Sequence, residues 1–299
     1  MTPRPFLACL AAAAVALACG GGSSPVGELR FEPRAIDLGW PEFAEVRIQL
    51  RAGSELPADA LRPIVFLHLL DEPGSVVRTF DHALPGEWVP GAAFDYPVRL
   101  VQSALAEPLP AGDYLLSIGL YTQEHGRFAL SGGAEEVAKL EYRVATVRVP
   151  PPAPAGPRAR FSDDWLPLEP GADRQILARR SLAGGQTGTV QFGPFAGPGR
   201  IYLRVEIPDE GRDGARVELA SGASQPKLRV TSSCNGEQIE LSGSGGFAVD
   251  LGVPAGAATT CEIAFEPNFQ VRWRDRAEAT SARLALLAWQ PGAGDATQP

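Results

Sequence analysis

AEVRIQLR, residues 44–51, sets Val46, Ile48 and Leu50 on one side of an extended chain and Arg47, Gln49 and Arg51 on the other. That two-residue alternation is the mark of a half-buried strand. PIVFLHLL, residues 63–70, is apolar on both faces and too short for an ordinary helix, so it reads as a central strand covered by a second layer. DEPG at 71–74 is a turn, and SVVRTF returns as its partner, which predicts a hairpin from Ile64 to Phe80. FDYPVRL alternates at Phe94, Tyr96, Val98 and Leu100, and Pro97 marks an edge or a bulge, since proline donates nothing to a ladder. DYLLSIGLY and VAKLEYRVATVRV continue the pattern to residue 149; only ALRP and AEEVAKL hint at helix.

Residues 161–291 have the same texture, with TGTVQFG, RIYLRVEI, KLRVTSS, FAVDLG, TCEIAFEP and SARLALLAW set between Gly, Pro, Asp and Asn. Short strands at near-regular spacing between such turns indicate β-sandwiches or jelly rolls. PPPAPAGPRA, Pro150 to Ala159, lacks amide donors at every proline and holds φ fixed, so it reads as an extended spacer. The predicted fold is all-β: an immunoglobulin-like sandwich over 28–149, a proline-rich linker over 150–160, a jelly-roll-like sandwich over 161–291 and a frayed tail over 292–299.

The chain begins differently. Phe6 to Ala18 is an apolar run as long as a signal-peptide core and too short to span a bilayer, with Arg4 and the amine ahead of it. It stops at Cys19 and turns at once into GGGSS. Ala16-Leu17-Ala18-Cys19 resembles the lipobox of bacterial lipoproteins, in which cleavage precedes a lipidated cysteine; an ordinary secreted chain with an incidental Cys19 is the plainer alternative. The family most often has leucine where Ala16 stands. The resemblance implies a signal peptide over 1–18 and a lipidated glycine-serine tether over 19–27, with the membrane as a partner through lipid on Cys19. Gly20 after the cysteine, rather than Asp, implies sorting to the outer membrane of a Gram-negative cell.

A formal charge of −8, with 21% charged residues, leaves no global positive field to gather nucleic acid. The 44% of hydrophobic residues suffices for real cores. Once Cys9 goes with the signal and Cys19 with the lipid, Cys234 and Cys261 remain. An exported chain makes a disulfide between them the natural expectation, against two reduced, buried thiols.

Chemistry is sought here and mostly not found. The three histidines are His68, His82 and His125. His68 lies in a predicted central strand, where a hydrogen-bonded core role outweighs that of a general base; His82 ends a hairpin and His125 sits at a turn tip. There is no G-x-S-x-G, H-E-x-x-H or C-x-x-C. GSGGFA at 243–248 has the loose spacing of a dinucleotide loop but lies between strands and reads as a turn. PDEGRDG gathers Asp209, Glu210 and Asp213, enough oxygen for a weak calcium contact, although a solvated loop explains it as well. No cofactor and no metal site is expected. Two features suggest binding. QVRWRDR would set Arg272, Arg274 and Arg276 on one strand face, a basic ladder suited to an anionic polymer or a carboxylate-bearing sugar, or else a charged face that discourages edge pairing. Trp165 would stack a sugar ring or fill a core, and the core is favoured.

VFLHLLDEPGSVVRTFDHALPGEWVPGAAFDYPVRL, followed by LPAGDYLLSIGLY, is similar to a β-sandwich module appended to bacterial membrane glycosyltransferases. The shared positions are His68, Leu69, Asp71, Gly74, Asp81, Trp88, Pro90, Gly91, Gly112, Tyr114, Gly119, Leu120 and Tyr121. FSDDWLPLE with RQILARR and the late Asp275-Arg276 resembles, more loosely, the jelly-roll module of the same enzymes. Those modules are accessory, so the resemblance implies folding or glycan contact and no catalysis. The sequence thus leads to a non-catalytic, lipid-anchored envelope lipoprotein that binds an envelope glycan or a glycan-handling periplasmic protein. A structural or assembly subunit contacting only proteins is the alternative; a sandwich hydrolase would need converging acidic residues that the sequence does not reveal.

Overall fold

The computed structural model describes residues 24–132, 135–171, 173–256 and 260–292. Cys19, its lipobox and the start of the tether lie outside the described residues. The first sandwich contains β1 (Gly27–Glu32), β2 (Ala35–Asp37), β3 (Phe43–Ala52), β4 (Ile64–Leu70), β5 (Val76–Thr79), β6 (His82–Ala83), β7 (Ala93–Val101), β8 (Gly112–Thr122), β9 (Gly126–Phe128), β10 (Leu130–Ser131), β11 (Glu135–Ala138) and β12 (Glu141–Val149). One sheet runs β10-β1-β3-β7 and the facing sheet β11-β12-β8-β4-β5, with β2, β6 and β9 added to it.

The alternation in β3 sorts as the sequence predicts: Val46, Ile48 and Leu50 enter the core, and Arg47 points out to Asp95 on β7 (2.9 Å). They meet Val65, Leu67 and Leu69 of β4 and Leu116, Ile118 and Leu120 of β8. β4 and β5 form the predicted hairpin. β7, with Pro97, is the edge strand where the missing amide costs no ladder bond. AEEVAKL is a correction: its described part is strand β11, because Glu135 and Glu136 pair with Arg143 and Tyr142 of β12 and this pairing overrides a weak helical preference.

The second sandwich contains β13 (Arg158–Phe161), β14 (Glu169–Pro170), β15 (Ala178–Ala183), β16 (Gly188–Gly193), β17 (Gly199–Ile207), β18 (Ala215–Leu219), β19 (Lys227–Ser232), β20 (Gln238–Ser242), β21 (Gly245–Val253), β22 (Cys261–Pro267), β23 (Phe269–Trp273) and β24 (Thr280–Pro291). Sheet β13-β16-β22-β19-β20 packs on sheet β14-β15-β24-β17-β21, and the β18–β23 ribbon hangs from β24. Phe192, Ile263, Phe265 and Val230 from one side meet Leu203, Leu251, Leu284 and Leu287 from the other. Cys234 and Cys261 are joined as a disulfide, tying the loop after β19 to the start of its neighbour β22 (Cα–Cα 5.2 Å).

Residues 150–157 carry no strand, yet the two sandwiches are not held by that segment alone. Phe43 and Val101 of the first pack on Tyr202, Leu286 and Ala288 of the second, and Leu105 reaches into the second core. The backbone joins too: Ala104 donates to Leu287 (2.7 Å), Trp289 donates to Pro41 (2.9 Å), and Ser103 Oγ accepts the Leu287 amide (3.1 Å). Arg99 stacks over Tyr202 (4.6 Å) and Phe43 (5.1 Å) and bridges Glu45 (3.1 Å) and Asp250 (2.9 Å). Arg200 meets Glu45 from the other side (2.9 Å). Among the described residues no helix is long and apolar enough to cross a membrane.

Candidate functional site: an arginine-lined pocket on the second sandwich

SARLALLAW is an apolar strand with one charge in it. β24 lies between β15 and β17, so Leu284 and Leu287 fill the core while the residue before Leu284, Arg283, faces the opposite side of the sheet. Its cross-strand neighbours are Ser181 on β15 and Glu206 on β17. Two residues from each along its strand, Arg179 and Arg204 share that face. Here the sheet is covered by Trp273, by the loop around Asp173 and Ile176, and by the 207–213 loop, which leave a cavity of about 370 Å³. Gly245 and Gly246 form one wall, where a Gly246 Cβ would lie 3.6 Å from the Arg204 guanidinium.

Arg283 is only 8% exposed. Its guanidinium lies 4.2 Å from the centre of the Trp273 ring, and that indole is itself fixed by donating to Thr280 Oγ1 (2.8 Å). Among the described residues Arg283 has no ion-pair partner, and its Nε, like the Nε of Arg179, has no hydrogen-bond acceptor. Burial first, and then repulsion from Arg179, lower the Arg283 pKa. Glu169, the acid best placed to neutralise it, is engaged elsewhere: Arg276 grips it bidentately (2.7 and 3.2 Å) and Arg179 lies at 3.8 Å. Burial opposes Glu169 ionisation, but the Arg276 hydrogen bonds and the surrounding arginine charges outweigh it and hold its pKa below the usual carboxylate value. Glu169 and Glu206 favour its charge from a distance, but no acceptor meets its Nε among the described residues, so a guanidinium largely removed from water is left facing the cavity with a donor unused.

The arginine ladder expected from QVRWRDR is not one strand face. β23 ends at Trp273, so Arg272 alone of the three lies in the strand, where it pairs with Glu218 (3.0 Å). Arg274 is exposed in the following turn and Arg276 swings to Glu169. Trp165 is core: 3% exposed, edge-on to Phe161 and Phe265, its Nε1 donating to Thr189 O (3.1 Å), so it has no face to offer a sugar. Of the loop acids, Asp209 pairs with Arg212 (3.6 Å) and Glu210 accepts the Val217 amide (2.6 Å). Among the described residues no group of three His, Cys, Asp or Glu could hold a metal ion. Sequence reasoning passed over Arg179, Arg204, Glu206 and Arg283; the lone arginine in SARLALLAW was the available signal.

The histidines have structural partners. On the outer face of the first sandwich, Glu141 is 5% exposed and accepts from Ser117 Oγ (2.6 Å) and Arg127 (2.9 Å), with His68 Nδ1 at 3.2 Å. Ser117 bonds the acid and the His68 carbonyl rather than the imidazole ring, so this Ser/His/Glu group does not activate a hydroxyl. His82 is fixed between Phe80 O (2.9 Å) and Tyr96 OH (3.0 Å), and burial lowers its pKa. His125 meets Asp59 (2.7 Å).

Of the residues that carried the resemblance noted from the sequence, several have plain structural roles in the first sandwich. Asp71 caps its turn through Ser75 N (2.6 Å), Asp81 accepts from Leu67 N (3.2 Å), Trp88 is fully buried and donates to Ser54 O (3.1 Å), and Tyr114 ties to Pro110 O (2.8 Å). Gly74 and Gly91 adopt positive φ, and a Cβ at Gly119 would lie 2.1 Å from the Phe66 ring.

No family model matches the chain, and no curated protein matches it. Among solved structures, CBD12 from CALX1.2 is similar over 83% of this chain and 82% of its own length, with 12% identity and a TM-score of 0.22. Salmonella alpha-2-macroglobulin reacted with methylamine (9% identity, TM-score 0.24) is similar over 90% of this chain but only 15% of its own. Bacteroides uniformis beta-glucuronidase (9% identity, TM-score 0.23) covers 89% of this chain and 30% of its own. Likeness at this level bears on neither ligand nor activity.

Proposed function

We propose that the chain is a non-catalytic lipoprotein, anchored through Cys19 to the outer membrane of a Gram-negative cell, that binds an envelope glycan in the Arg283 pocket. The supporting observation is the pocket itself: donors and acceptors fixed on a rigid sheet, in a cavity within the range of about 300–1,000 Å³ usual for small-molecule sites. Arg179, Arg204 and Glu206 sit on three-strand scaffolding that does not need to order on binding, which favours recognition over an induced catalytic closure. The glycosyltransferase-module resemblance of residues 64–130 agrees with an accessory role.

Membrane fractionation of wild type and Cys19→Ala, with intact mass, tests the anchor; the wild type is expected acylated and membrane-bound, the variant soluble. Binding of the purified Cys19→Ala chain to a panel of neutral and acidic envelope oligosaccharides tests the ligand class, and no binding to any would refute it. A second reading, an assembly subunit that contacts only proteins, draws on the apolar groove between the sandwiches, lined by Trp40, Leu105, Leu109, Leu168 and Leu177, where Leu168 is 53% exposed. Crosslinking in cells from that groove, with the glycan panel negative, would favour it.

A further inference from the structure

We infer that the Arg283 pocket selects the carboxylate of an acidic sugar, a uronate unit within a glycan; the inference rests on reading this pocket as the glycan site. Arg283 is nine-tenths buried, stacked on Trp273, without an ion pair among the described residues, and its Nε lacks an acceptor. Arg179 lines the same cavity and its Nε also lacks a hydrogen-bond acceptor, although it lies 3.8 Å from Glu169, and Arg204 beside it has no ion-pair partner among the described residues. Two or three guanidinium edges around one space match the planar, two-oxygen geometry of a carboxylate.

The acids of the pocket decide against other anions. Asp173, Glu206, Asp209 and Asp213 line it with four arginines, so the formal charges of the lining cancel. A phosphate dianion would meet four carboxylates as well as the arginines. A monoanion that also carries hydroxyl donors fits better: its carboxylate goes to Arg283 and Arg179, and its hydroxyls donate to acids such as Glu206, which accepts no side-chain hydrogen bond from the described residues. Glu206 is cross-strand to Arg283 yet makes no ion pair with it, which leaves both groups for a ligand.

The test is isothermal titration calorimetry on the Cys19→Ala chain with uronate trimers (galacturonate, glucuronate and mannuronate), their methyl esters, neutral hexose trimers and inorganic phosphate. At least one uronate trimer is expected to bind, its ester at least tenfold more weakly, and phosphate more weakly still. Arg283→Met, which keeps the volume over Trp273, and Arg204→Ala, at the half-exposed rim, are expected to lose tenfold or more for the acid while the ester changes little. If Arg283→Met does not fold, the acid-against-ester comparison and Arg204→Ala still decide. Neutral trimers binding as tightly as uronates would overturn the inference and leave the glycan reading standing. Phosphate binding as tightly as any uronate, or uronate binding indifferent to both variants, would also overturn it. Failure of every sugar, neutral and acidic, would overturn both.

Discussion

Removing the disulfide measures how firmly the two sandwiches are joined. Cys234 and Cys261 are 27 residues apart, and closing a loop of that length restricts the unfolded chain by about 3.5 kcal/mol on the chain-entropy model. Cys261 is fully buried, so replacing both cysteines by alanine also forfeits packing, and that figure is a floor. The resulting fall in Tm depends on how much chain unfolds with the second sandwich. The joint contains a buried aromatic contact, hydrogen bonds donated by the Ala104, Trp289 and Leu287 amides, and the Arg99 bridge, and Leu105 is shared with the second core. One cooperative transition is therefore expected. At about 2.1 cal/mol/K per residue, roughly 270 residues melting together give a fall of about 6 °C, whereas the second sandwich alone, about 135 residues, gives about 12 °C. Differential scanning calorimetry of Cys234→Ala/Cys261→Ala against its parent, both as Cys19→Ser, reads the difference. Two transitions, one unmoved and one lowered by about 12 °C, would refute the coupling.

Arg99→Ala removes the two ion pairs and both stacking contacts at the joint; a loss of about 1.5–3 kcal/mol and a split or broadened transition are expected by calorimetry. Gly119→Ala drives a methyl group into the Phe66 ring and to 2.8 Å from Leu140 O, so a loss of about 1–3 kcal/mol is expected in urea unfolding, against little change for Gly197→Ala, where a Cβ meets nothing. Burial opposes the ionisation of Glu141, but Ser117, His68 and Arg127 overcome it and lower its pKa below 4.5. Its contribution is thus complete above pH 4.5 and is lost as the pH falls through the lowered value, so Glu141→Gln is expected to flatten the fall of urea-unfolding stability below pH 4.5. A wild type and variant with parallel acid limbs would refute that assignment.

What was legible in the sequence was whatever a single strand carries by itself. The alternation of β3, the two-faced burial of β4 and the edge position of Pro97 are properties of one segment and its immediate turns, and they stand in the structure. The disulfide, expected from the count of cysteines left after a signal and tether read from the sequence, is present. The arginine ladder failed because its register assumed that β23 runs on past Trp273; a strand's end is set by its partner, and β18 pairs no further than that residue. The pocket was illegible for a deeper reason. Arg179, Arg204 and Arg283 come from strands separated by long stretches of chain, and they share a face only through the register of β15 and β17 on β24. That register includes a bulge between Arg204 and Val205, and a slip of one residue would turn Arg283 into the core. A buried charge without an ion pair among the described residues, in a strand buried along most of its length, is tolerable only if the fold or a ligand answers it. Because Arg276 already occupies Glu169, the described part of the fold answers it incompletely, and the carboxylate proposed above would supply what is missing.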